Sequence, residues 1–99
     1  MKSLAFPFER AGFRYELIDR QGLVCLVKQT RLGKSYWCFE VVKLIPYPDQ
    51  IRFGAFVPAH ECYPSDEHWG TYGFTYRPPE LEKARKRFAG MIEKLSEAA

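Results

Sequence analysis

The residues best suited to chemistry lie close together in the second half of the chain. His60, Cys62 and His68 carry nitrogen and sulfur donors of the kind that bind zinc, and folding could bring Cys38 beside them. A closed zinc site needs four such ligands in a tetrahedral arrangement, and the spacing here matches no known pattern. The sequence therefore predicts no metal and no cofactor, and it indicates loop histidines and free thiols.

Acidic residues beside one of these histidines could be considered for acid–base catalysis. Glu61, Asp66 and Glu67 lie within a few positions of His68. Catalysis also requires a nucleophile or an activated water held at fixed geometry, and adjacent charged residues in a turn ordinarily face solvent. We therefore expect no catalytic residues and predict that the protein is not an enzyme.

The most distinctive segment of the chain, residues 63–76, contains five aromatic residues and two glycines. Serine is a common helix N-cap residue, so Ser65 predicts one helical turn that directs Trp69 inward. One interpretation is a structural plug that seals the edge of a sheet. The other is a recognition loop in which Tyr63, Trp69 and Tyr72 contact a partner, because Tyr and Trp dominate protein interfaces. Both interpretations stay open.

Part of this segment also follows a recognisable pattern. Its residues are Glu61, Tyr63-Pro64-Ser65, Trp69-Gly70 and Gly73-Phe74-Thr75-Tyr76. The pattern resembles one in small uncharacterised proteins of bacteriophages and other mobile elements, and it covers about the last third of the chain. The resemblance implies an origin more than a chemistry. It would make the protein a phage-derived inhibitor or accessory factor that occludes a partner's working surface.

The charge balance allows a second kind of partner. Fifteen basic and 12 acidic residues give a net charge of +3, a mildly basic surface that permits nucleic-acid binding without arguing for it. Aromatic residues in the segment 72–76 could stack bases, and basic residues further on could contact phosphates. A solvated helix face would explain the same charges. The basic candidates for contact with RNA or single-stranded DNA are Lys83, Arg85, Lys86 and Arg87.

Chain length and hydropathy bound the organisation. The 99 residues suffice for one domain, residues 1–99, with one core. No window reaches the ~20 apolar residues of a membrane span. The apolar stretch 4–8 is interrupted by Pro7 and is too short for a signal peptide. The sequence thus predicts a cytoplasmic protein without membrane contact.

Periodicity predicts the elements that must position these residues. Strands are expected at 13–17, 23–29, 36–44, 52–57 and 70–76. From Pro79 the apolar residues recur every three or four positions, which predicts a helix over 79–97. Gly90 lies inside that helix and is interpreted as a tolerated defect. The predicted fold class is α+β, an antiparallel sheet of four or five strands with one C-terminal helix packed on one face.

The central strands of this sheet are apolar on both faces. A helix about 10 Å across covers roughly two strands and only one face. The other face must be covered by residues 4–8, by the connection 45–63, by a second copy of the chain or by a partner protein. We therefore expect a non-catalytic module that binds another protein or itself. The candidate partner contacts are Tyr36, Tyr63, Trp69 and Tyr72.

Overall fold

The computed structural model describes residues 1–98 and contains a five-stranded antiparallel sheet and one long C-terminal helix. The elements in chain order are β1 (Phe8–Arg10), β2 (Phe13–Gln21), β3 (Val24–Arg31), β4 (Trp37–Lys43), β5 (Ile45–Tyr47), β6 (Gln50–Arg52), β7 (Ala55–Val57), β8 (His60–Cys62), β9 (Gly73–Tyr76) and α1 (Leu81–Ala98). The main sheet has the order β1-β2-β3-β4-β9. The remaining strands form two small pairs, β5 with β8 and β6 with β7. The predicted α+β class is confirmed.

The β2–β3 hairpin is longer than its sequence pattern indicated. The strand predicted at 13–17 continues to Gln21, and a bulge between Leu17 and Asp19 interrupts its pairing with β3. The bulge explains why the apolar alternation stops at Leu17. The tight turn falls at Gly22, whose φ of 59° is a left-handed conformation that suits glycine.

The helix α1 covers one face of the sheet, as its apolar stripe predicts. Ala84 and Phe88 are buried against strands β3 and β4. The buried residues of this cluster are Val24, Leu26, Phe39, Val41, Ala84 and Phe88, with Trp37, Tyr76, Met91, Ile92 and Leu95 at its margin. Since β9 is the edge strand, the helix crosses from the centre of the sheet to that edge.

The opposite face is covered by the chain itself. The N-terminal residues Leu4, Phe6 and Phe8 pack on a second buried cluster together with Trp69. That cluster consists of Tyr15, Cys25, Val27, Val42, Leu44 and Tyr63. The four consecutive residues that begin β3, Val24 to Val27, are completely inaccessible to solvent. The central strands therefore need neither a second copy nor a partner to cover them.

A partly buried ion pair holds the N-terminal segment in place. Arg20 of β2 donates two hydrogen bonds to the Glu61 carboxylate, at 2.8 and 2.7 Å, and the Leu4 N–H donates a third at 3.0 Å. Burial by itself would raise the pKa of Glu61, but the hydrogen bonds and the Arg20 charge outweigh it and hold the pKa below its usual value. Glu61 thus joins β2, β8 and the N-terminal segment.

Two predicted strands differ from the structure. The segment 52–57 does not join the main sheet, because Phe53 and Gly54 both have positive φ and turn the chain back as a two-residue hairpin between β6 and β7. The strand predicted at 70–76 begins only at Gly73, since residues before it belong to a turn. Within residues 1–98 no helix combines the length and the apolar character needed to cross a bilayer.

We expect Phe88→Ala to lower the free energy of unfolding by about 3–5 kcal/mol, because it empties a buried aromatic position between α1 and the sheet. Ile92→Ala should cost about 2 kcal/mol, since Ile92 lies at the margin of that cluster. Urea denaturation measures both. The exposed Ala89→Ser on the same helix is the control, and a Phe88→Ala midpoint equal to that of the control would contradict the docking of α1.

Candidate nucleic-acid interface

The aromatic segment begins with a single helical turn. Residues Asp66–His68 form a one-turn 3-10 helix capped by Ser65. The Ser65 N–H donates to Nδ1 of His68 at 3.3 Å, and the Ser65 hydroxyl lies 3.1 Å from the same nitrogen. The predicted helical turn at Ser65 is confirmed. The Ser65–His68 contact closes a turn at an exposed position.

Trp69 follows this turn and packs closely against Gly73. A Cβ placed on Gly73 would lie 2.5 Å from the Trp69 ring, so only glycine fits beside it. The Trp69 indole N–H donates to the Thr75 hydroxyl at 2.9 Å. Trp69 thereby fixes the start of β9 against the N-terminal side of the sheet. This arrangement agrees with the interpretation of the segment as a structural plug.

Tyr63 extends the same contacts into the core. Its hydroxyl donates to the buried Glu40 carboxyl at 2.6 Å, and Thr75 lies directly opposite Glu40 on the paired strand β9. Burial raises the pKa of Glu40 above its usual value, and hydrogen bonds from Tyr63 and Thr75 offset this only in part. Burial and the neighbouring Glu40 also raise the pKa of Tyr63. The Tyr63–Glu40 and Trp69–Thr75 hydrogen bonds thus lie side by side, because Glu40 and Thr75 are cross-strand neighbours.

The structure does not bring the four predicted partner contacts together. Tyr63 is buried and Trp69 is half-buried, so both serve the core. Tyr36 is exposed but precedes β4, whereas Tyr72 lies beside the other end of that strand, roughly 20 Å away at the rise of a strand. These residues form no common surface.

Tyr72 instead lines a groove between the edge strand β9 and helix α1. The groove has a volume of about 760 Å³. Side chains on one face of the 72–76 segment form one wall, and successive turns of α1 form the other. Its lining comprises Lys43, Thr71, Tyr72, Phe74, Tyr76, Lys83, Lys86, Arg87, Gly90, Met91, Lys94 and Leu95. We refer to this set as the β9–α1 groove.

Every charged residue that lines the β9–α1 groove is basic. The Arg87 guanidinium lies 4.0 Å above the centre of the Phe74 ring, and its Nε donates to the Tyr76 hydroxyl at 3.1 Å. The Lys43 ammonium lies 5.5 Å from the centre of the Tyr72 ring. Two of the groove cations therefore lie over aromatic rings, and surfaces that bind unpaired nucleotides combine the same two kinds of side chain.

Three of the four basic residues predicted as nucleic-acid contacts line this groove. They are Lys83, Lys86 and Arg87, whereas Arg85 points away and lies 4.0 Å from Asp19 of β2. Among the ion pairs of residues 1–98, only Lys83 of the groove cations has a carboxylate partner, Glu80 at 3.3 Å.

Sequence reasoning missed two cations of the groove, Lys43 and Lys94. Lys94 could have been found, because it follows Lys83, Lys86, Arg87 and Gly90 at helical spacing. Lys43 reaches the groove through strand pairing, since its N–H donates to the Tyr72 carbonyl at 2.8 Å. No local pattern signals that contact.

No histidine or cysteine is among the residues that line the groove, although the His68 ring lies edge-on to the Tyr72 ring with 5.7 Å between their centres. His60 stacks on Tyr47 with 5.6 Å between ring centres. Burial raises the pKa of both Cys25 and Cys38 to about 11, which keeps these thiols protonated at neutral pH. In the part of the chain that the structure describes, no three His, Cys, Asp or Glu side chains converge on a metal position.

A second exposed surface lies on the β6–β7 hairpin. Ile51 and Phe56 form a cross-strand pair that is 75% and 67% exposed, and Phe53 at the turn is fully exposed. Phe53 has a φ of 52°, an unfavourable conformation for a side chain of its size. This apolar tip is distinct from the β9–α1 groove.

Comparisons of the chain with protein-family models, curated proteins and solved structures found no match. Function must therefore be inferred from the surfaces described above.

We expect Glu40→Gln to make the protein more stable than the wild type at pH 7, with the difference disappearing as the pH falls towards 4. The raised pKa means that the folded state retains the Glu40 proton longer than the unfolded state does. The wild type therefore loses stability as the pH rises through that pKa. Urea denaturation across this pH range measures the difference.

Glu61→Gln is the matched control, because it should change the free energy of unfolding at pH 7 in the opposite direction. Because the folded pKa of Glu61 is lowered, its contribution is present at neutral pH and is lost as the pH falls through that pKa. Glu61→Gln should therefore destabilise the protein at pH 7. If the free energy of unfolding depends on pH in the same way for the wild type and both variants, the ionisation of neither carboxyl is coupled to folding.

Proposed function

We propose that the protein binds single-stranded nucleic acid, RNA or DNA, in the β9–α1 groove. The observation that carries the proposal is the lining of the groove, five cations interleaved with three aromatic side chains and without an acidic residue. Phosphates provide the charge that such a lining attracts, and unpaired bases provide flat apolar faces that suit aromatic side chains.

The dimensions of the groove favour a short single strand. The groove cations on α1 run from Lys83 to Lys94, and 11 residues of helix span about 16 Å. Such a length accommodates a few nucleotides. The aromatic wall could stack bases only if they are unpaired, which favours a single strand over a duplex.

Binding should weaken steeply as the salt concentration rises. With up to five phosphate contacts, the slope of log affinity against log salt should approach about −3.5. Reversing Lys83, Lys86 and Arg87 to glutamate should abolish measurable binding at physiological salt. Fluorescence anisotropy of a labelled oligonucleotide across a salt series measures both effects.

Two single reversals give a matched comparison. Lys86→Glu and Arg85→Glu change the net charge equally at adjacent positions of one helix, but only Lys86 lines the groove. Lys86→Glu should weaken binding several-fold more than Arg85→Glu. Equal losses for the two variants would show that total charge governs the affinity and that the groove is not the site.

We also propose that the protein self-associates through the β6–β7 hairpin. Phe53 and Phe56 can together bury roughly 300–500 Å² per copy. With Ile51 added, two copies approach the ~1,000 Å² that a specific interface needs. Both hairpin strands have a free edge, and the same patch on two copies can pair about a two-fold axis.

Phe53→Asn should abolish this self-association without harming the hairpin. Asparagine removes the apolar contact, while Asn-Gly is the preferred pair for a two-residue turn with positive φ at both positions. Sedimentation equilibrium of the wild type should show a concentration-dependent dimer, and the variant should remain a monomer. A wild type that is monomeric at every concentration refutes the proposal, as does a variant that dimerises equally.

A further inference from the structure

Gly90 occupies an unusual position in helix α1. A glycine inside a helix costs about 1 kcal/mol relative to alanine, so its presence calls for a physical cause. Close packing is not the cause, because among residues 1–98 a Cβ on Gly90 would have no atom within 4 Å apart from its sequence neighbours and its own helix backbone. A left-handed backbone is not the cause either, since the residue lies within the helix Leu81–Ala98. Folding alone gives no reason for a glycine here.

The β9–α1 groove supplies a reason. Gly90 lines that groove, with Lys86 and Arg87 one turn before it and Lys94 one turn after it. Across the groove lie the aromatic side chains of the 72–76 segment. The missing side chain therefore leaves helix backbone exposed in the middle of the cationic wall, next to the apolar Met91.

We propose that Gly90 forms the floor of a nucleobase subsite. The base lies against the bare helix backbone at Gly90 and contacts Met91, while Lys86 and Lys94 on either side bind the flanking phosphates. This inference rests on the proposed nucleic-acid function and adds a specific position to it. A ring can approach a glycine more closely than any other residue, because no Cβ stands in the way.

The proposed subsite would make the groove selective for nucleic acid over other polyanions. A site made of cations alone would bind any chain of phosphates or sulfates with similar salt dependence. A contact to the face of a base adds affinity that phosphates alone do not supply, and it depends little on which base is present because every base has a flat face. Nucleic acid should therefore bind more tightly than an abasic strand of equal length and charge.

The test uses two probes and two matched variants. The probes are a thymidine oligonucleotide of about 12 nucleotides and an abasic strand of the same length, since single-strand sites commonly span 4–16 nucleotides. The variants are Gly90→Leu, which fills the proposed subsite, and Ala89→Leu, which adds the same side chain at an exposed position outside the groove lining. Circular dichroism and thermal melting verify that both variants are folded.

We expect Gly90→Leu to weaken binding of the thymidine strand by about tenfold or more, the loss of one stacked base. Its affinity for the abasic strand should equal that of the wild type, and Ala89→Leu should change neither affinity. Gly90→Ala provides a second variant that favours the helix. Gly90→Ala should raise the melting temperature and at the same time lower the affinity for the thymidine strand. A loss of binding in this variant therefore cannot be attributed to a loss of fold.

The outcomes distinguish this inference from the proposed function. If Gly90→Leu binds the thymidine strand as the wild type does, while the charge reversals abolish binding, the groove is a nucleic-acid site and the subsite is refuted. If Gly90→Leu lowers the affinity for both strands equally, the leucine blocks phosphate contacts and the subsite is again refuted. If the wild type binds neither strand, the proposed function fails and the subsite fails with it.

Discussion

The structure depends on one constraint, that strands β3 and β4 are apolar on both faces and must be covered twice. Helix α1 covers one face, and the N-terminal segment with Tyr63 and Trp69 covers the other. The first cover is continuous in sequence, whereas the second is assembled from distant segments. Such an assembly needs specific contacts to fix it, and the buried polar interactions of Glu40 and Glu61 provide them.

The same constraint creates the groove. A single helix cannot cover a five-stranded sheet, and α1 is placed over β3, β4 and the edge strand β9. Within residues 1–98 no strand lies beyond β9, so the outer side of α1 faces the aromatic residues of that edge across a gap. Cations line the gap because the helix stripe that faces it contains lysine and arginine at successive turns. A site thus arises where the two-layer packing ends.

The sequence allowed prediction of those features that depend on local periodicity. The strand at 13–17 follows from alternation, the central strands from their apolar and aromatic runs, α1 from the helical stripe, and the one-turn helix at Ser65 from capping chemistry. Strand β1 escaped prediction because its three residues become a strand only by pairing with β2. The segment 52–57 has the composition of a strand, but the turn at Phe53 makes it a separate hairpin.

The candidate site was predictable only in part, because much of it also depends on contacts between residues distant in sequence. The basic helix residues could be recognised, but composition cannot tell that Tyr63 is buried, since its partner Glu40 is 23 residues away in sequence. Nor can it place Lys43 beside Tyr72, a contact made by strand pairing. Long-range contacts decide which aromatic residue is core and which is surface.

Alternation along β9 resolves the two interpretations of the aromatic segment. Gly73 and Thr75 face the N-terminal side, where they contact Trp69, whereas Phe74 and Tyr76 face α1 and line the groove. The segment is therefore both a structural plug and one wall of the candidate site. Because successive residues face opposite sides, each face can change without altering the other's contacts. The contacts of Gly73 and Thr75 with Trp69 are therefore separate from the side chains that the groove presents to a ligand, although Tyr76 on the groove side also packs at the margin of the α1 cluster.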